Sequence, residues 1–201
     1  MRLDDVTVVI VPGLRDHVAD HWQTRLAAAL PRSVTVPPLE RDKLSRAARV
    51  EALARTLEAV PGPLLLVAHS AGVITVAHWA LAETRAHALG QGRHHAIRGA
   101  LLATPADLEQ PLPAGYPALE TLRDNGWLPI PRAPLPFPAL VAMSRNDPLA
   151  SMARVQALAG DWQAECVDIG AVGHLNPASG HGEWPRALEL MQTLLTDPVH
   201  A

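Results

Sequence analysis

The chain has 201 residues, enough for one domain with a full hydrophobic core. Hydrophobic residues make up 48% and charged residues 18%, the balance of a globular protein rather than a disordered one. A formal net charge of -3 without any basic block argues against nucleic acid as a partner, and no stretch approaches the ~18 uninterrupted apolar residues of a membrane span.

Val6 to Val11 is a β-branched run closed by Pro12-Gly13, the pattern of a strand buried on both faces. His21 to Leu30 carries Trp22, Leu26, Ala29 and Leu30 at helical spacing. Ser33 to Val36 reads as a short strand stopped by Pro37-Pro38. Leu44 to Val60 reads as an amphipathic helix, with Leu44, Ala48, Leu53, Leu57 and Val60 as its expected buried stripe. Pro61-Gly62-Pro63 then resets the chain before an apolar strand, Leu64 to Ala68.

A helix-like run follows from Ala71 to Leu89, then a strand from Ile97 to Ala103. Ala106 to Pro138 is irregular and proline-rich, and its last part, Leu128 to Pro138, reads as an extended connection rather than a polyproline ligand. Ala139 to Ser144 is a strand, and Pro148 to Ala159 a helix with Pro148 at its first position. Ala164 to Ile169 is the last strand and Trp184 to Leu195 the closing helix. Alternating strands and helices predict a three-layer α/β/α sandwich with a mainly parallel sheet of about six strands. The expected organisation is one domain over residues 1–201 without a separate cap.

Five residues, Ala68-His69-Ser70-Ala71-Gly72, join the Leu64 strand to the Ala71 helix. A strand, a small-His-Ser-small-Gly turn and a helix make the layout of a nucleophile elbow, with Ala68 where a glycine usually stands. The plainer alternative is a strand–helix turn in which Ser70 only caps the helix. A serine hydroxyl needs a base to take its proton, and the base needs an acid to fix its tautomer.

Both partners are present, in the expected chain order. Asp147 follows the Ala139 strand, and His174 follows the last strand after Gly173. Each lies past the C-terminal end of its strand, where open α/β sheets place their chemistry. Taken alone, Asp147 would pass for a helix cap and His174 for a surface loop residue; their common position and order favour a triad with Ser70. Asp168, Asp161 and His181 sit in less suitable places. His69 is expected to be packed or hydrogen-bonded locally, and Cys166 to be a small buried hydrophobe. The expected oxyanion donors are the backbone N–H groups of Ala71 and of Leu14, which follows Gly13.

These pieces resemble the small serine hydrolases of the retinoblastoma-binding-protein-9/YdeN family, within the α/β-hydrolase superfamily. The resemblance is carried by Val11-Pro12-Gly13-Leu14, Asp20-His21-Trp22-Gln23, Val67 to Gly72, Ala77-His78-Trp79, Ser144 to Pro148 and Gly173-His174-Leu175-Asn176. It implies a minimal α/β-hydrolase fold with Ser70 as nucleophile, His174 as general base and Asp147 as the orienting acid. It also makes alanine at position 68 familiar. Retinoblastoma-type binding is not implied, because Ala164-Glu165-Cys166-Val167-Asp168 lacks the Leu and Glu of a Leu-x-Cys-x-Glu motif.

The chemistry expected is cleavage of a small ester, thioester or activated amide through an acyl-enzyme, with no metal or organic cofactor. The histidines at 17 and 21 and at 94 and 95 lack the companions of a metal site. The partner expected is a small-molecule acyl substrate, with neither nucleic acid nor membrane involved. Tyr116 and Trp127 are expected to shape a shallow pocket. The competing class is a binding or scaffold protein on the same fold. The single cysteine, Cys166, excludes an intrachain disulfide, and the first residues, MRLDDVTVVIVPG, lack a signal-peptide pattern, so a cytoplasmic location is expected. No pattern in the chain encodes the natural substrate or an oligomeric state.

Overall fold

A computed structural model describes residues 1–92 and 95–196. Six strands form one sheet: β1 (Thr7–Val11), β2 (Ser33–Thr35), β3 (Leu64–His69), β4 (Ile97–Ala103), β5 (Ala139–Met143) and β6 (Glu165–Asp168). Their order is β2-β1-β3-β4-β5-β6, and every neighbouring pair is parallel. From β1 the chain steps outward to β2, then returns to the other side of β1 for β3. The order therefore reverses between β1 and β3, and the loops leaving those two strands diverge. That divergence opens a crevice at their C-terminal ends.

Among the described residues six α-helices accompany the strands: α1 (Trp22–Ala29), α2 (Arg46–Ala59), α3 (Ala71–Ala88), α4 (Leu119–Asp124), α5 (Met152–Asp161) and, after the last strand, α6 (Arg186–Thr196). The period of two along a strand sends alternate residues to opposite faces. Val9 and Val11 of β1 join Leu66 and Ala68 of β3 in a core with α2, α3 and α5. Val8 and Ile10 join Leu65 and Val67 in a second core with α1 and α6. The expected three-layer sandwich of six strands is the observed one. Among the described residues no helix is long and apolar enough to cross a membrane.

Several local expectations are corrected. The buried stripe of α2 is Arg49, Ala52, Leu53, Thr56 and Leu57, whereas Ala48 and Val60 are partly exposed and Leu44 precedes the helix. The helix after β5 begins at Met152 with Ser151 as N-cap, not at Pro148, because the Ser151 hydroxyl accepts the Arg154 N–H at 3.4 Å. The Ala106 to Pro138 stretch contains the short helix α4. Cys166 is exposed rather than buried, because β6 is an edge strand, and partial burial raises its thiol pKa. Ile130, Pro131 and Phe137 are buried, so Leu128 to Pro138 is a packed connection. His94 lies outside the described residues.

Candidate active site

β3 ends at His69, the chain turns at Ser70, and α3 begins at Ala71. Ser70 has φ 58° and ψ −127°, a conformation that costs a non-glycine residue about 1–3 kcal/mol and persists only when the surroundings enforce it. The enforcement is visible. The Ser70 N–H donates to the Ala103 carbonyl at 3.1 Å, and the Ser70 carbonyl accepts the Val73 N–H at 3.0 Å. Gly72 lies so near the end of β1 that a Cβ there would be 2.3 Å from the Val11 oxygen. Ala68 is fully buried between β1 and β4, opposite Val11 and Leu102, so a methyl fits where glycine is usual. The Ser70 side chain makes no capping bond to α3.

Its hydroxyl meets His174 instead. Ser70 Oγ lies 2.8 Å from His174 Nε2, and His174 Nδ1 lies 3.0 and 2.9 Å from the two oxygens of Asp147. A carboxylate only accepts, so Nδ1 carries the ring proton and Nε2 is left to accept the Ser70 hydroxyl proton. The Asp147 and His174 side chains are almost wholly buried. Asp147 Oδ1 also accepts the Leu149 N–H at 2.8 Å, which fixes the carboxylate against the loop after β5.

Two loops must hold register for this alignment, and side chains stitch them together. Asn146 Oδ1 accepts the Gly173 N–H at 2.7 Å and the Ser144 hydroxyl at 3.1 Å, while Ser144 Oγ accepts the Val172 N–H. The His174 N–H donates to Ser179 Oγ at 3.0 Å. Gly173 has φ 59°, and a Cβ there would meet Ser179 Oγ at 2.5 Å. Behind the elbow, buried Gln23 donates from Nε2 to the carbonyls of Val11 and Val67, tying the ends of β1 and β3 together.

His69 is hydrogen-bonded, but to a residue distant in sequence: its Nε2 lies 2.9 Å from the His174 carbonyl. A carbonyl only accepts, so that nitrogen bears the proton. Its ring sits 4.8 Å from the His174 ring and 4.6 Å from the His21 ring. Complete burial holds the His69 pKa well below the usual value, with His174 and His21 adding to the effect. Burial, then His174, lowers His21 to about 4. His21 is the N-cap of α1, its Nδ1 accepting the Gln23 N–H, and His17 stands in the preceding loop.

The serine hydrolase family model matches residues 8–193. The chain belongs to the serine hydrolase family. A YdeN-like hydrolase from Pectobacterium atrosepticum is 30% identical over 95% of this chain and 91% of that one, with a TM-score of 0.74. The ydeN gene product of B. subtilis is 15% identical over 96% of this chain and 100% of that one, with a TM-score of 0.66. RedJ, a thioesterase from the prodiginine biosynthetic pathway of Streptomyces coelicolor, is 19% identical over 96% and 90%, with a TM-score of 0.59. These last two likenesses are of fold alone. No curated protein matches the sequence.

In this serine hydrolase the Ser70 hydroxyl opens into a cavity of about 290 Å³, at the small end of ligand pockets. Leu14, Val18, Leu108, Leu112, Tyr116 and Leu149 give it an apolar wall. Arg15 lies over the Tyr116 ring, 5.5 Å from its centre. Trp127 does not shape the cavity: it is fully buried, and its Nε1–H donates to the Leu44 carbonyl at 2.7 Å. Leu44, expected in a helix stripe, lines the cavity instead.

Sequence reasoning places Ser70, Asp147 and His174, and the structure brings all three together. Leu14 and Ala71 border the same cavity. It misses the roles of Gln23, Arg49, Asn146 and Ser179. Gln23 and Asn146 lie within the segments that carry the family resemblance, yet nothing in a linear motif says which backbone groups a side chain will meet. Arg49 had one legible signal, a charge at a position the helical period assigns to the buried stripe.

Proposed function

We propose that this serine hydrolase cleaves a small ester, thioester or activated amide through an acyl-enzyme, with Ser70 as nucleophile, His174 as general base and Asp147 as the acid that orients it. The observation that carries the reading is the 2.8 Å contact of Ser70 Oγ with His174 Nε2 at the edge of the cavity, backed by Asp147 on Nδ1. Ser70 Oγ attacks the carbonyl carbon while its proton passes to His174 Nε2. The oxyanion is received by the N–H groups of Leu14 and Ala71. Ala71 opens α3, so its N–H lacks an intrahelical acceptor and the helix dipole favours negative charge there. Collapse expels the alcohol, thiol or amine, which takes the proton from His174. Water then attacks the acyl-enzyme, giving its proton to His174, and the acid leaves as Ser70 is restored.

The apolar wall suits the acyl chain, and the cavity volume suits a short one. Residues 1–201 are read as one α/β-hydrolase domain without a cap, since the segment between β4 and β5 packs against the same core as the sheet. The test is labelling with a fluorophosphonate probe, together with hydrolysis of short p-nitrophenyl esters. Wild type is expected to label and Ser70→Ala not to. Ser70→Ala and His174→Ala are expected to lose similar activity, on the order of 10⁴-fold or more, because the groups act as a unit. A folded wild type that neither labels nor cleaves removes this reading in favour of a binding protein. A His174→Ala variant near the wild-type rate reassigns the base.

A further inference from the structure

Arg49 occupies the buried stripe of α2, where the amphipathic pattern calls for an apolar residue. Its side chain is 8% exposed, and the donors of its fork converge on one short loop. Nη1 donates to the Gly13 carbonyl at 3.2 Å and to Asp16 Oδ1 at 2.9 Å, and Nη2 donates to the Leu14 carbonyl at 3.1 Å. Nε donates to the Lys43 carbonyl at 2.9 Å. The Gly13 carbonyl accepts the Asp16 N–H as well, at 3.1 Å. Residues 13 to 16 thus form a tight turn held from behind by a buried cation, with Asp16 balancing its charge.

The consequence falls on the other side of the turn. The Gly13–Leu14 peptide is trans, so its C=O and N–H point in opposite directions. The C=O is held toward Arg49, and the N–H of Leu14 is therefore turned away from it. Gly13 and Leu14 line the cavity that contains Ser70, while Arg49 stands behind them. Among the described residues, no backbone or side-chain acceptor meets the Leu14 N–H.

A Cβ at Gly13 would come within 3.2 Å of Ser70 Cβ, so a side chain here would press on the nucleophile. The same lack of a side chain makes this peptide easy to rotate. A rotated peptide would aim a carbonyl, not a donor, at the reacting atoms.

We infer that Arg49 is a positioning residue: by holding the carbonyls of Gly13 and Leu14, it aims the Leu14 N–H at the site of the developing oxyanion. The inference rests on the acyl-enzyme reading above. Labelling of wild-type Ser70 tests that reading separately, before any Arg49 variant is made.

Two variants then test the clamp. Arg49→Lys keeps a cation beside Asp16 but loses the planar fork. Arg49→Met with Asp16→Asn removes the buried cation and its half-buried partner together, so neither charge is left unpaired. For p-nitrophenyl esters the double variant is expected to lose on the order of 10²-fold in kcat, the lower range for loss of an oxyanion donor. KM should move by less than about threefold, since the interaction is made only in the transition state. Affinity for an alkylboronic acid, whose tetrahedral adduct with Ser70 places an oxygen in the same position, should fall in parallel with kcat. Arg49→Lys should fall in between. A merely structural arginine would lower the melting temperature and leave kcat and boronate affinity alone. Either variant, folded and within about threefold of wild type in both, overturns the inference.

Discussion

Gly72→Ala tests whether the elbow and the end of β1 are packed as tightly as the structure shows. The added Cβ would lie 2.3 Å from the Val11 oxygen, 2.6 Å from the Pro12 oxygen and 3.0 Å from the Pro12 carbonyl carbon. All three are backbone atoms, so no side chain can swing aside. The shortest contact is about 1 Å inside ordinary van der Waals separation, and relief requires β1 and α3 to separate by roughly that distance. Alanine in a helix gains up to about 1 kcal/mol over glycine, whereas overpacking of this kind costs about 1–3 kcal/mol or more. We expect a net loss of about 1–2 kcal/mol, a fall in melting temperature of about 2–8 °C for a chain of this size. The movement also carries Pro12 and Gly13 away from Ser70, and a misplacement near 1 Å can lower kcat on the order of 10²-fold. Thermal denaturation and steady-state ester hydrolysis measure the two effects. Gly160→Ala in α5 is the matched control, since a Cβ there meets nothing within 4 Å and should stabilise by about 0.5–1 kcal/mol. Gly72→Ala with an unchanged melting point and a kcat near wild type would refute the packing argument.

Two other changes probe the surroundings of the site. Asp107, buried beside the cavity wall, receives Arg154 Nε at 2.7 Å and Nη2 at 3.1 Å. Asp107→Ala should cost about 2–3 kcal/mol in urea unfolding, since charge-assisted bonds are lost, while Arg2→Ala, from an exposed pair with Asp5, should change almost nothing. Equal effects would refute the distinction. Acid should also weaken the fold through His21 and His69. Unfolded, each takes a proton near pH 6.5; folded, His21 does so only near 4, and His69 is also depressed. The unfolded chain then binds more protons between those values, so the stability is full above about pH 6.5 and declines as pH falls toward 4. His21→Asn keeps an N-cap and should flatten the decline in urea midpoint between pH 7 and 4.5. An unaltered slope would count against the burial of His21.

Local sequence determined more of this protein than its overall shape alone. The β-branched runs, the proline and glycine breaks and the alternation of strands with helices specify a parallel three-layer sheet, because burial on both faces leaves few other arrangements for such segments. Ser70, Asp147 and His174 were legible because each follows its own strand, and a parallel sheet brings those ends to one edge. Strand boundaries were legible to within about one residue at each end, since an apolar run ends where the chain leaves the core. Tertiary structure decided the rest, because it depends on contacts between segments far apart in sequence. Leu44 lines the cavity and Trp127 lies in the core, and the bond from Trp127 Nε1–H to the Leu44 carbonyl joins them across 83 positions. Cys166 is exposed because β6 has a neighbour on one side only, which no strand pattern records. Arg49 grips a loop 36 positions away, and Gln23 bridges strands whose adjacency follows only from the strand order. Chemistry that follows the period of a strand can be read along the chain; chemistry that depends on which backbone carbonyl a side chain reaches is settled only when the layers close.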